Sequence, residues 1–163
     1  MGLDMYLYRN FSMYAGTNKE TLNAKKEQIK AIFPELFLSN EHSIEIHEVV
    51  AYWRKANAIH NWMVQNVQDG NDDCYYHYVS IEQIQTLRDL AEKALHSKTP
   101  EEILPTLSGF FFGSTEYDNS YREDMSDTVK QLDKVLAIHK QTAEAIKNSG
   151  IDYYVEYEYI SSW

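Results

Sequence analysis

The sequence predicts a single α+β domain: a small antiparallel or mixed sheet with its terminal strands paired, packed by three or four helices, one of them long, acidic and near the C-terminus. Three observations carry this expectation. Apolar residues alternate at both ends of the chain, at Leu3, Met5 and Leu7 and again at Ile151, Tyr153, Val155, Tyr157 and Tyr159, the period of a strand with one buried face. The long stretches between them repeat apolar residues every three or four positions, the period of amphipathic helices. At 163 residues the chain is one domain by size and can bury a core without disulfides or a structural metal.

In chain order, Leu3 to Tyr8 reads as the first strand, and residues 9–18, with Asn10, Ser12, Gly16, Thr17 and Asn18, as a loop. Leu22, Ile29, Ile32 and Phe33 carry a helical period that stops near Pro34, because proline has no N–H to continue the ladder. Residues 34–43 connect, and Ile44 and Ile46 suggest a short strand. The stretch from Ala51 to Val64 then reads as a core helix, since Val49, Trp53, Ala56, His60, Met63 and Val67 share one stripe at 100° per residue. Asp69-Gly70-Asn71-Asp72-Asp73 closes it with a turn.

Cys74 to Val79 reads as another main strand. Ser80 and Gln83 stand at N-cap and N3 of a capping box, opening a helix to about Ser97 with the stripe Ile84, Leu87, Ala91 and Leu95. Pro100 suits the first turn of a short helix closed by Pro105. Residues 117–149 contain no Gly or Pro, and Tyr121, Met125, Val129, Leu132, Leu136, Ala143 and Ile146 fall on one face of a long helix ended by Gly150. Ser114 or Thr115 is the expected N-cap of that helix, with Glu116 and Asp118 complementing its dipole.

Charge narrows the function classes. The net charge is −10, and residues 100–163 hold 12 acids against 5 bases. That field repels a phosphate backbone and attracts basic protein surfaces, so unspecific nucleic-acid binding is not expected. Thirteen Tyr is a high count of a residue that gathers at interfaces and also fills strand faces. Cys74 is the only cysteine, which excludes internal disulfides and cysteine-rich zinc sites. No apolar run approaches the roughly 20 residues of a membrane span, and Met1-Gly2-Leu3-Asp4 lacks the basic and apolar regions of a signal peptide. The expected setting is therefore the cytoplasm, with no membrane partner and no cofactor.

Several residues are candidates for chemistry. His60 in its apolar stripe is either a general acid or base tuned by burial, with Tyr52 nearby, or a core histidine satisfied by a carbonyl or a tyrosine. Arg54, Lys55 and Asn57 could hold a phosphate or carboxylate, or form a solvated helix face; Trp53 or Tyr52 could stack a base. Ser114 and Thr115, at a helix start, could receive an anion, although Glu116 and Asp118 would compete with it. The Gly109–Gly113 loop, with Phe110, Phe111 and Phe112 in succession, forms either a buried strand or an exposed aromatic lip. It is too short for a phosphate loop and no Lys follows Gly113. Asp69, Asn71 and Asp73 imitate the start of a calcium loop, but Cys74 and Ser80 stand where its turn Gly and bidentate Glu belong, so no metal is expected. Asp4 and Tyr6, on the solvent side of the first strand, could pair with Arg54 or Lys55.

Four separated blocks, Met1-Gly2-Leu3-Asp4-Met5-Tyr6-Leu7, Tyr52-Trp53-Arg54-Lys55-Ala56-Asn57-Ala58-Ile59-His60, Gly109-Phe110-Phe111-Phe112-Gly113-Ser114-Thr115-Glu116-Tyr117-Asp118 and the terminal Ser161-Ser162-Trp163, resemble a family of small accessory proteins of bacteriophages and prophages. The resemblance spans nearly the full length. It carries over no catalytic residue; it implies a setting, the host cytoplasm, in which such proteins often counter host defence, including CRISPR systems.

Three readings follow. In the first, the chain is a non-enzymatic inhibitor that presents an acidic, Tyr-rich surface to the basic groove of a host protein, with Glu116, Asp118, Glu123, Asp124 and Asp127 on the long helix and Glu156 and Glu158 on the last strand as carriers. In the second, it is a nucleotide- or RNA-binding pocket protein or metal-independent enzyme using Arg54, Lys55 and His60. In the third, it self-associates, as a homodimer for instance, through Tyr-rich strand edges or the Phe loop.

Overall fold

A computed structural model of the chain describes residues 2–13, 19–35, 43–149 and 154–163. The alternating N-terminal segment is strand β1, Asp4–Met13, which bonds on both of its sides. On one side runs β2, Ile44–Arg54, antiparallel, from Asp4 opposite Arg54 to Met13 opposite Ile44. On the other runs β4, Tyr154–Ser162, also antiparallel, from Asp4 opposite Ser162 to Ser12 opposite Tyr154. The terminal strands are thus paired, as expected. A three-residue strand β3, His77–Val79, adds to the far edge of β4, giving the order β2-β1-β4-β3.

Helix α1, Lys19–Ile32, joins β1 to β2, and helices α2, Asn57–Asn66, α3, Ile81–His96, and α4, Asn119–Ser149, complete the fold. Leu3, Met5, Leu7, Ala51, Trp53, Val79, Tyr157 and Tyr159 from the sheet meet Ile59 and Met63 of α2, Ile84 and Leu87 of α3, and Met125 and Leu132 of α4 in one buried cluster. The core lies on a single face of the sheet. No helix among the described residues is long and apolar enough to cross a membrane.

Three expectations need correction. First, the strand β1 runs to Met13 rather than ending at Tyr8; bonding to a neighbour on each side overrides the weak strand propensity of Asn10 and Ser12. Second, Ala51 to Arg54 belong to β2 and not to a helix. Ala51 and Trp53 are buried while Tyr52 and Arg54 are exposed, which is period 2. Trp53 and His60 are seven residues apart, two helical turns, so a strand residue and a helix residue imitate one stripe. Lys55, at φ 59°, turns the chain, and α2 starts after Ala56 with no side-chain cap, which removes the usual start signal. Third, of the Cys74–Val79 strand only His77–Val79 pairs.

The capping box stands as read: Gln83 N–H donates to Ser80 Oγ at 3.1 Å and Ser80 N–H to Gln83 Oε1 at 2.8 Å. In α3, Ala94 rather than Leu95 completes the fully buried stripe. The short turn after Pro100 is a 3₁₀ helix, Pro100–Glu102. Helix α4 is capped by Asp118, whose Oδ1 accepts from Ser120 N–H at 2.9 Å and Tyr121 N–H at 3.2 Å, and not by Ser114 or Thr115. Residues 14–18 of the expected loop, residues 36–42 of the connector, and Gly150, Ile151, Asp152 and Tyr153 lie outside the described residues.

Candidate functional site

Where β2 gives way to α2, the chain is braced by the Phe loop. Asn57, nearly fully buried, donates from Nδ2 to the carbonyls of Phe112 at 3.0 Å and Ser114 at 2.7 Å, and its Oδ1 accepts from Leu107 N–H at 3.3 Å. Every polar atom of this side chain is engaged, so Asn57 is a brace and not a ligand contact. The loop is neither a strand nor a uniform lip: Phe112 is buried, while Phe110 is 93% exposed. Gly109 is required there, because a Cβ on it would lie 2.4 Å from the Phe112 ring.

Phe112 packs edge-on against the His60 ring, centroids 5.1 Å apart. His60 is fully buried, with Nδ1 2.8 Å from the Tyr159 hydroxyl and Nε2 3.2 Å from Asp72 Oδ1. Of the neutral tautomers, the one with hydrogen on Nε2 turns an N–H towards the Asp72 carboxylate and lets the Tyr159 hydroxyl donate to Nδ1. The Nε2–H misses Asp72 in direction, leaving that nitrogen without a well-formed hydrogen bond among the described residues. Burial pulls the His60 pKa below its ordinary value, opposed by the Asp72 charge, and burial pushes the Tyr159 hydroxyl far up. Of the two sequence readings of His60, the Nδ1 contact is the tyrosine bond of a core histidine, while Nε2 is left open towards Asp72.

Arg54 and Lys55 line a separate pocket of about 220 Å³ with Ser114, Glu116, Asp118 and Asp124. His60 does not line it, so the residue expected to move a proton is not at the expected phosphate site. Three carboxylates on the same pocket also repel a phosphate. Burial, then Asp127, Glu123 and Asp118, raise the Asp124 pKa to about 6. Trp53 cannot stack an incoming base: it is buried in the core, its indole N–H donating to Thr128 Oγ1 at 2.9 Å. The Thr115 carbonyl accepts from Thr106 Oγ1 at 3.1 Å, a contact internal to the loop.

The outer face of the sheet is the second notable surface. Tyr52 meets Tyr6 in a tilted contact at 5.1 Å, Tyr6 lies 6.2 Å from Tyr8, and Tyr8 meets Tyr76 at 5.7 Å. Four tyrosines therefore form a chain of ring contacts across the strands. The Tyr52 hydroxyl donates to Asp4 Oδ1 at 2.5 Å, and Arg54 approaches the same carboxylate at 4.0 Å, the pairing anticipated for Asp4. Tyr52 thus sits on the face opposite His60, and the two cannot act on one substrate. Glu158 accepts from Asn10 Nδ2 on this outer face, and Glu156 beside it is exposed.

The acids expected to act together therefore divide into two groups. Glu116, Asp118, Glu123, Asp124 and Asp127 cluster at the start of α4, and Glu156 and Glu158 lie on the sheet. The β2 edge lies beside α4. Gln131 accepts from Tyr52 N–H at 2.8 Å and donates to the Tyr52 carbonyl at 2.9 Å, while its Nε2 also reaches Asp127 at 2.7 Å. Its amide closes part of an edge that strand pairing could otherwise use.

Comparison with protein-family models, curated proteins and solved structures gave no match. Fold and site geometry therefore carry the functional argument. Three residues of the site escaped sequence reasoning: Asp72, Tyr159 and Trp163, whose indole N–H donates to Asp72 Oδ1 at 3.2 Å. Tyr159 was visible as an inward position but its partner is 99 residues away; Asp72 was hidden inside a strong turn signal.

Proposed function

We propose that the chain is a non-enzymatic binding protein that engages a basic protein partner through an acidic, tyrosine-rich surface. The observation that carries this reading is the outer sheet face, where Tyr52, Tyr6, Tyr8 and Tyr76 touch in series beside Asp4, Glu156 and Glu158. Tyrosine gives large contact area at low conformational cost, and interspersed carboxylates select a cationic counterpart. The net charge of −10 adds long-range attraction to the same class of partner. In the phage setting implied by the resemblance, the partner is a host defence effector, such as a CRISPR nuclease, whose cationic nucleic-acid groove this surface occupies.

Native mass spectrometry of tagged protein recovered from a bacterial host lysate tests this. The expected result is a stoichiometric protein partner that dissociates at high salt and is lost when Tyr52→Ala and Tyr76→Ala are combined, with the fold intact. A partner held equally well by that variant, or no stoichiometric partner at all, overturns the reading.

A further inference from the structure

Between the turn after α2 and the Phe loop lies a cleft of about 510 Å³, lined by Gln65, Asp72, Leu107, Phe110, Phe112 and Trp163 among others. Phe112 and Trp163 meet edge-to-face with centroids 6.1 Å apart, and Trp163 is 48% exposed. Among the described residues, Asp72 is the one charged side chain lining the cleft. Its Oδ1 faces His60 Nε2 and Trp163 Nε1, both at 3.2 Å; Oδ2 has no hydrogen-bond partner among the described residues. No Lys or Arg forms an ion pair with Asp72 among the described residues, and burial disfavours a positive charge on His60. A carboxylate at an aromatic wall with no cation of its own is an incomplete pair.

We propose that this cleft takes the guanidinium of an arginine side chain presented by a basic protein partner. The planar, weakly hydrated guanidinium packs against the exposed Trp163 ring and donates to the free Asp72 Oδ2. A lysine ammonium, compact and strongly hydrated, gains less from the same wall. The inference rests on the reading above for the source of the arginine, and on the cleft alone for its chemistry. Its position suits that reading: Asp73 follows Asp72, its carboxylate accepting from Tyr75 N–H at 2.9 Å and contacting His77 Nε2 at 2.8 Å, so a tied turn connects the cleft to Tyr76 on the tyrosine face.

The test follows the three indole N–H signals by ¹H–¹⁵N NMR, because the Trp163 N–H reports on Asp72 directly. The probe is N-acetyl-arginine methylamide at constant ionic strength, against its citrulline and lysine counterparts. The expected result is a saturable shift of the Trp163 signal with a Kd on the order of 1–10 mM, at least about tenfold weaker for citrulline, which lacks the charge, and weaker for lysine. Asp72→Asn should abolish the saturable shift while the signals of the buried Trp53 and Trp62 stay in place. Equal shifts for arginine and citrulline in the unaltered protein overturn the inference without any variant, as does full arginine binding by folded Asp72→Asn. A cleft blind to arginine in a protein whose partner is still captured through the tyrosine face overturns this inference alone. Loss of that capture with arginine binding intact does the reverse.

Discussion

Two histidine–tyrosine pairs stand on the same strand and differ in depth. Tyr159 and Tyr157 both point inward from β4; Tyr159 meets His60 of α2 at 2.8 Å, and Tyr157 meets His139 of α4 at 3.1 Å. His60 is fully buried beneath the Phe loop with Asp72 behind it, whereas His139 is half-buried and has the Glu82 carboxylate of α3 within electrostatic reach. The same pair of side chains is thus wholly buried in one place and, with Tyr157 buried but His139 partly open, only half enclosed in the other. The difference teaches that the inward histidines share a partner type without sharing a role: burial and the third group decide what each can do.

The sharpest way to break this comparison is to remove each imidazole. His60→Ala leaves a cavity and an unpaired buried Tyr159 hydroxyl, and should cost about 3 kcal/mol in urea unfolding; His139→Ala, open to water, should cost about 1 kcal/mol or less. Equal losses would sink the distinction. Next, Tyr159→Phe strands the His60 Nδ1 and should cost about 1.5 kcal/mol, against about 0.5 kcal/mol for Tyr157→Phe, whose histidine can bond water instead. Both differences are read from denaturation midpoints at unchanged slope.

The pH dependence sharpens the comparison further. Burial depresses the folded His60 pKa, so the unfolded chain takes up its proton first as pH falls. Stability supplied by neutral His60 is complete above the unfolded value of about 6.5 and is lost as pH falls through the folded pKa. The slope of stability between pH 7 and 5 should therefore flatten in His60→Ala and persist in His139→Ala; a slope that survives His60→Ala contradicts the assignment.

The smallest effect has the opposite sign. Asp124 has a folded pKa of about 6, raised by burial and by Asp127, Glu123 and Asp118. A raised carboxylate favours the fold below its unfolded value of about 3.9, and that contribution fades as pH rises through 6. Asp124→Asn should then stabilise the protein at pH 7.5, by about 1 kcal/mol after discounting for solvent screening, and give no gain at pH 4. Thermal melts at the two pH values decide it. No gain at pH 7.5 would show that solvent relieves this cluster more fully than it relieves His60.

Local rules made much of the fold legible. Ser80 with Gln83 announced α3, the absence of Gly and Pro over residues 117–149 announced α4, and alternation announced β1 and β4. Each signal lies within a few residues of what it predicts. The β2 to α2 boundary was misread because nothing local marks it: the cap is Ala56, and the chain reverses at Lys55 in a conformation usually left to Gly or Asn. Of the site, the pairing of Asp4 with Arg54 was legible as a possibility, while the Tyr52 hydroxyl on the same carboxylate and the separation of His60 from Arg54 and Lys55 were not.

An acidic α+β chain with paired terminal strands and a histidine in an apolar stripe can be read from order along the chain, because periodicity and charge are properties of neighbouring residues. Packing places His60 between Tyr159 and Asp72, sets Trp163 beside that carboxylate in an aromatic cleft, and brings tyrosines from three segments into contact on the sheet. Those contacts join residues as many as 99 positions apart. They depend on strand register and helix docking, which the whole core fixes together.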